Sequence, residues 1–386
     1  MKKISINILL LSLLIIEKIE TQKKFVHPGL LHTATDLQRM KSMVTAKREP
    51  WYSAFQLFAV DNHSLLTYSI QGPDAIVTRD KSSSKTNIGN SHLAHDSIAA
   101  LQLTLMYSIT NNDSYARLAN KILEEWTNTL IIINGSDAQL AAALSGTQLI
   151  NAAEILRYTY SGWSSINMSK FENMIVNIFY PPASQTIPSS DQKYPFEANW
   201  GTAGEKAIIA FGIFLNNETM YDYGKSLINN SSCANLTGTI NSEGQSSESG
   251  RDQAHTQLGL GNLGEAFQMC WNQEDDLFSL VDNRLLIGYE YTAQYNLGYS
   301  VNYNESFYRC DAFLVNGPWP TISNLTRGQW RPIWELPYAH YVSIKGLSMP
   351  YTLQQIKLNT PDRTNPPTSI ADNAAWETLR FRLDSF

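Results

Sequence analysis

Residues 95–126 read HDSIAALQLTLMYSITNNDSYARLANKILEEW. Apolar side chains recur at Ile98, Leu101, Leu105 and Met106, then at Leu118, Ile122, Leu123 and Trp126. That is the three-and-four spacing of helices with one buried face. Between the two runs, Asn111-Asn112-Asp113 carries short polar side chains that bond to nearby backbone and interrupt a helix. The stretch therefore predicts an αα-hairpin with an Asx-type cap at its turn.

The pattern repeats along the chain. Residues 137–160 predict one long Ala-rich helix or a pair, with Gly146 as the break. Residues 170–179 predict a short amphipathic helix. Residues 201–215 and 219–228 form a hairpin about Asn216-Asn217, 251–271 and 275–297 form the next, and 334–345 a late helix. Strand-like alternation is confined to 68–77 and 131–133. Helical hairpins repeated over roughly 300 residues predict an all-α fold, an (α/α) barrel or toroid of paired antiparallel helices. The hairpins share no motif, which disfavours a regular solenoid. Irregular stretches at 72–92, 181–198 and 299–332 each adjoin a polar motif, so they predict a loop-lined cleft.

Composition narrows the function. A net charge of −6 without a Lys/Arg cluster argues against nucleic acid as a partner. The 19 Tyr and 9 Trp suit sugar faces, and they suit a large core equally well. Lys2 and Lys3 followed by the apolar run 4–16 read as a secretory signal within residues 1–22, too short for a membrane span. Export, an extracellular location and no stable membrane association are the expectation. Asn-x-Ser/Thr sequons at Asn62, Asn112, Asn134, Asn167, Asn217, Asn229, Asn230, Asn235, Asn304 and Asn324 agree with it. Cys233, Cys270 and Cys310 allow one disulfide and leave one thiol. Residues 23–358 are expected to form the helical-barrel domain, 359–386 a peripheral tail, and the whole a monomer.

Four polar constellations stand out. In 244–262, Glu248, Arg251 or Asp252, His255 and Asn262 fall near one helical face, where a cation, an imidazole and amides would meet an anionic substrate. Glu197-Ala198-Asn199-Trp200-Gly201 is a loop entering a helix, with Asn199 either N-cap or functional amide. Tyr291 and Tyr295 share a face, which a packed core would also produce. Arg331-Pro332-Ile333-Trp334-Glu335, followed by His340, reads most simply as an Arg331–Glu335 ion pair. Trp200, Glu248, Gln253, Tyr291, Arg331, Trp334 and His340 are the candidate substrate-binding residues. No zinc, phosphate-loop or Gly-x-Ser-x-Gly motif occurs, and neither metal nor cofactor is expected. His92, His95 and Asp96 form the one grouping that would suit a metal, and capping explains it more simply.

The sequence resembles the alginate lyase superfamily, in particular the alginate-lyase domain proteins grouped as polysaccharide lyase family 38. The resemblance runs from about His27 to about Tyr351 and rests on several segments. They are His27-Pro28-Gly29-Leu30-Leu31, Gly135-Ser136-Asp137-Ala138-Gln139-Leu140, Asn151-Ala152-Ala153-Glu154-Ile155-Leu156-Arg157, Asn199-Trp200, Gly250-Arg251-Asp252-Gln253-Ala254-His255-Thr256, Tyr295-Asn296-Leu297-Gly298 and Arg331-Pro332-Ile333-Trp334-Glu335. It implies an (α/α) barrel and β-elimination on acidic uronate polysaccharides such as alginate or glucuronan. It also implies an Asn/His/Arg/Tyr catalytic set, carried here by Asn199, His255, Arg251 and Tyr295. Related lyases place an Asn-His pair together. Here Trp200 follows Asn199, so the imidazole comes from elsewhere, and His255 is the choice. Two other readings remain at this point: a glycoside hydrolase using Glu248 or Glu290 as its acid, and a glycan-binding protein without turnover.

Overall fold

The computed structural model describes residues 23–80, 87–184, 198–362 and 372–385. The expected signal, residues 1–22, lies outside them. The helices are α1 (Ala34–Thr45), α2 (Trp51–Val60), α3 (Asn90–Thr110), α4 (Asp113–Thr129), α5 (Ala138–Thr159), α6 (Ser165–Met174), α7 (Tyr180–Ser184) and α8 (Ala198–Phe214). They continue with α9 (Glu218–Asn230), α10 (Leu236–Thr239), α11 (Gln253–Asn272), α12 (Leu280–Asn296), α13 (Glu335–Tyr338), α14 (Pro350–Leu358) and α15 (Glu377–Arg380). Strands β1 (Ile76–Thr78) and β2 (Ile132–Asn134) form a two-stranded parallel ladder.

The fold is an all-α (α/α) toroid. Helices α3, α5, α8 and α11 pack side by side as an inner layer, and α4, α9 and α12 return along the outside of their partners. The inner helices are buried almost all round, whereas α4 and α9 bury one stripe each. Hairpin turns follow the chemistry read from sequence. Asn111 adopts a left-handed φ of 57°, Asn112 caps α4 by accepting from Ser114 N–H, and Asn217 caps α9 by accepting from Met220 N–H.

The structure corrects three expectations. Gly146 does not break α5. A Cβ there would lie 2.8 Å from Phe179 Cδ1 and 3.0 Å from Phe211 Cζ, so its smallness lets neighbouring elements approach. The regular part of α12 starts at Arg284, because Val281, Asp282 and Asn283 are left-handed. The described part of the 359–386 tail is not peripheral. Asp362 accepts from Glu377 N–H and Thr378 N–H, Arg382 Nε meets Glu335 Oε2 at 2.6 Å, and Arg380 is buried. Its polar composition reads as solvent-facing, but its charges have buried partners.

Lys206 on α8 and Glu265 on α11 form an ion pair at 2.7 Å, both almost fully buried, and Glu265 also accepts from Ala374 N–H at 2.7 Å. Lys206→Met is expected to cost about 3–5 kcal/mol, because it strands a buried carboxylate. Denaturant unfolding monitored by circular dichroism checks this. A loss within experimental error would show that the pair contributes nothing.

Candidate active site

The four inner helices begin at one end of the toroid. β1 and β2 run parallel and lead into α3 and α5. Gln139 Nε2 donates to Trp200 O at 3.3 Å, joining the starts of α5 and α8. Asn262 Nδ2 reaches Asn199 O at 3.4 Å, and Lys206–Glu265 lies farther along the same pair, so α8 and α11 are parallel. Four helix N-termini thus point their dipoles at one rim, a setting that favours anions.

At the start of α11, Asp252 is the N-cap. One oxygen accepts from His255 N–H at 2.7 Å, and the other lies 2.6 Å from His255 Nδ1. Burial alone would raise the Asp252 carboxyl, but its bonds to His255 and the Arg251 charge outweigh this and hold it below its ordinary value. An ionised Asp252 fixes the hydrogen on Nδ1 and leaves Nε2 as the reactive nitrogen. Nε2 has no hydrogen bond among the described residues, and the side chain is one-third exposed. Arg251 lies 3.7 Å from Glu248 and 3.8 Å from Asp252, beyond hydrogen-bonding reach, so its guanidinium is not committed to either.

Asn199 is buried, yet neither its amide oxygen nor its nitrogen has a hydrogen-bond partner among the described residues. Leaving such a group unpaired costs about 1–3 kcal/mol, a cost typical of functional positions. It faces α11 at Gly259, where a Cβ would lie 3.8 Å from Asn199 Cα. Gly259 is one turn, about 6 Å, beyond His255 on α11. The preceding Ala198 has φ 41°, a left-handed conformation strained for a residue with a side chain.

The 299–332 segment forms a wall beside this entry. Arg309 Nη1 donates to Glu248 Oε1 at 2.7 Å, and both side chains are buried. The adjacent Cys310 is tied to Cys233 by the one disulfide, while Cys270 is a buried thiol. Gln253 N–H donates to Leu325 O, and Gln253 Oε1 accepts from Asn296, which brings the end of α12 to the start of α11. Tyr295, next to Asn296, stacks under the Arg327 guanidinium at 3.9 Å, and its hydroxyl has no partner among the described residues. Tyr291 is held otherwise, donating to Asn302 O at 2.6 Å. Arg309 and Arg327 had no local signal in sequence, because each acquires its place only through contacts with distant elements.

Other candidates are engaged elsewhere. Arg331 pairs with Asp372 at 2.6 Å, and Glu335 pairs with Arg382, so the expected Arg331–Glu335 bridge does not form. Trp334 is buried edge-to-face on Tyr289. His340 stacks on Phe278 at 3.7 Å and meets Trp271 at the far end of α11, about 24 Å along that helix from His255. Both are core residues; an aromatic stripe looks the same in sequence whether a cleft or a core receives it. Burial lowers the His340 imidazole to about 4, keeping it neutral. His92 pairs with Asp74, and Asp96 is buried and satisfied by Tyr68, Gln71, Gly72 and Trp126. No group of three or more metal-ligating side chains occurs among the described residues.

A family model described as alginate lyase matches residues 59–300. Among solved structures, the chain is similar to an alginate lyase from Bacteroides ovatus, at 12% identity over 93% of this chain and 100% of that one, with a TM-score of 0.65. It is also similar to alginate lyase A1-III from Sphingomonas species A1, at 11% identity over 90% and 95%, with a TM-score of 0.63. A variant of A1-III complexed with tetrasaccharide gives 11% identity over 91% and 95%, with a TM-score of 0.61. These likenesses establish the fold. No curated protein matches the sequence.

Proposed function

The chain belongs to the alginate lyase family and is a polysaccharide lyase, and we propose that it is exported and cleaves a uronate polysaccharide of the alginate or glucuronan type by β-elimination. The observation that carries this reading is the buried Asn199 side chain, unpaired among the described residues, beside α11, which Arg251 precedes and whose first turn carries the Asp252-held His255. The proton at C5 of a uronate is too weakly acidic to leave while the adjacent carboxylate keeps its full charge. Asn199 and Arg251 supply hydrogen bonds and charge that strengthen as the enolate-like intermediate forms. His255 Nε2 takes the C5 proton, and Asp252 stabilises the resulting imidazolium. The C5 electron pair becomes the C4–C5 double bond as the C4–O4 bond breaks. The Tyr295 hydroxyl gives its proton to O4 and regains one from solvent, to which His255 releases the C5 proton.

The carboxylates offer less to a hydrolase. Glu290 accepts from Tyr351 N–H at 3.0 Å and Thr352 N–H at 2.8 Å, which fixes it at the start of α14. Glu248 is bound to Arg309. Mass spectrometry of digests separates the readings, since elimination products are one water lighter than hydrolysis products. Tyr295→Phe is expected to lower kcat by about 10²–10⁴, while Glu290→Gln leaves it unchanged. The reverse pattern would establish a hydrolase.

A further inference from the structure

On the opposite side of the same rim, three titratable side chains form a hydrogen-bonded chain that the reaction above leaves unused. Asp61 Oδ1 lies 3.0 Å from His63 Nδ1, and His63 Nε2 lies 2.9 Å from His95 Nδ1. The two imidazoles stack at 5.2 Å with 12° between their planes. His63 is buried. His95 is half-buried, and its Nε2 has no hydrogen-bond partner among the described residues. The chain therefore starts at a carboxylate and ends on one available nitrogen.

Packing gives its position. His95 precedes Gln102 on α3 by two turns, about 10 Å. Gln102 and Asn373 line one internal cavity. Asn373 meets α11 at Gly261, where a Cβ would lie 2.6 Å from its Nδ2. Gly261 is about 9 Å beyond His255. Because the inner helices run parallel, His95 and His255 stand at similar heights above one shared segment, on different helices of the ring. A polymer seated at His255 and crossing the rim would meet His95 at another of its units.

Resting on the lyase reading above, we infer that His95 Nε2 is a carboxylate subsite for a second uronate unit of the bound chain, and that it takes up a proton when that unit binds. In the unloaded state His63 Nδ1–H donates to Asp61, and His95 Nδ1–H donates to His63 Nε2. His95 Nε2 then carries a lone pair, which repels a carboxylate. One proton from solvent on Nε2 turns it into a donor. The proton on His95 Nδ1 passes to His63 Nε2, so the positive charge settles on His63 beside Asp61. The ligand carboxylate stays ionised, and the site gains one proton in all.

The neighbouring charges fit this cycle. On α3, His92 is paired with Asp74, and Asp96 is buried among four donors. The segment before α3 contributes Asp61, His63, Tyr68 and Asp74. Burial first, then the neighbouring imidazoles of His63 and His92, lower the proton affinity of His95; Asp96 opposes them, and the net shift is downward. His95 in the unloaded site is thus less ready to hold a proton than an ordinary imidazole, and an arriving anion supplies the reason to protonate it.

Isothermal titration of the intact protein with mannuronate, guluronate and glucuronate trimers, at neutral pH in phosphate and in Tris, measures proton uptake directly. Uptake approaching one proton per bound trimer is expected. His95→Gln is expected to weaken binding by about tenfold, the effect of losing one charge-assisted hydrogen bond, and to remove the uptake. Nitrogen NMR of the wild-type histidines gives a second readout without substitution, in which His95 Nε2 changes from acceptor to protonated on adding trimer. Binding whose affinity and uptake survive His95→Gln would overturn the inference, assign the proton to His255 and leave the lyase reading standing. Failure of every trimer to bind would overturn both.

Discussion

His255→Ala is expected to abolish turnover while leaving the helical circular dichroism spectrum and the melting temperature close to wild type. The imidazole is a third exposed, and its one hydrogen-bonding partner, Asp252, keeps its capping role through His255 N–H, which alanine retains. Little packing is lost. The reaction loses the group that removes the proton, an effect of about 10²–10⁴ in rate. Steady-state kinetics beside a melting curve test this. A variant that turns over normally would remove His255 from the mechanism, and one that unfolds would make it a structural residue.

Asn199→Ala is expected to lower kcat by about 10²–10³ with a much smaller change in KM, because its hydrogen bonds matter most where charge develops. The same change should not destabilise the fold, since the amide has no partner to lose among the described residues. A rise in KM with kcat intact would place Asn199 in substrate binding alone.

Much of the architecture is legible in the sequence because helical periodicity is local. The hairpin of α3 and α4 follows from apolar spacing and from Asn111-Asn112-Asp113, with ends displaced by a few residues. Gly146 misleads because a glycine that breaks a helix and one that lets helices touch look alike. The site is legible where it is local. Asp252 capping α11 and holding His255 three residues later is a short-range device. What joins distant segments is not legible. Arg309 on Glu248, Arg331 on Asp372 and His63 on His95 each require the folded chain. The 359–386 segment reads as tail for the same reason, as nothing within it announces Glu335, the partner of Arg382.

β-Elimination is read from the ultraviolet absorbance of the conjugated uronate double bond, followed while the protein is mixed in turn with polymannuronate, polyguluronate, glucuronan and hyaluronan. A continuous rise is expected on a polymer of the alginate or glucuronan type, and none with His255→Ala. Growth of reducing ends on any of these polymers without that rise would contradict β-elimination.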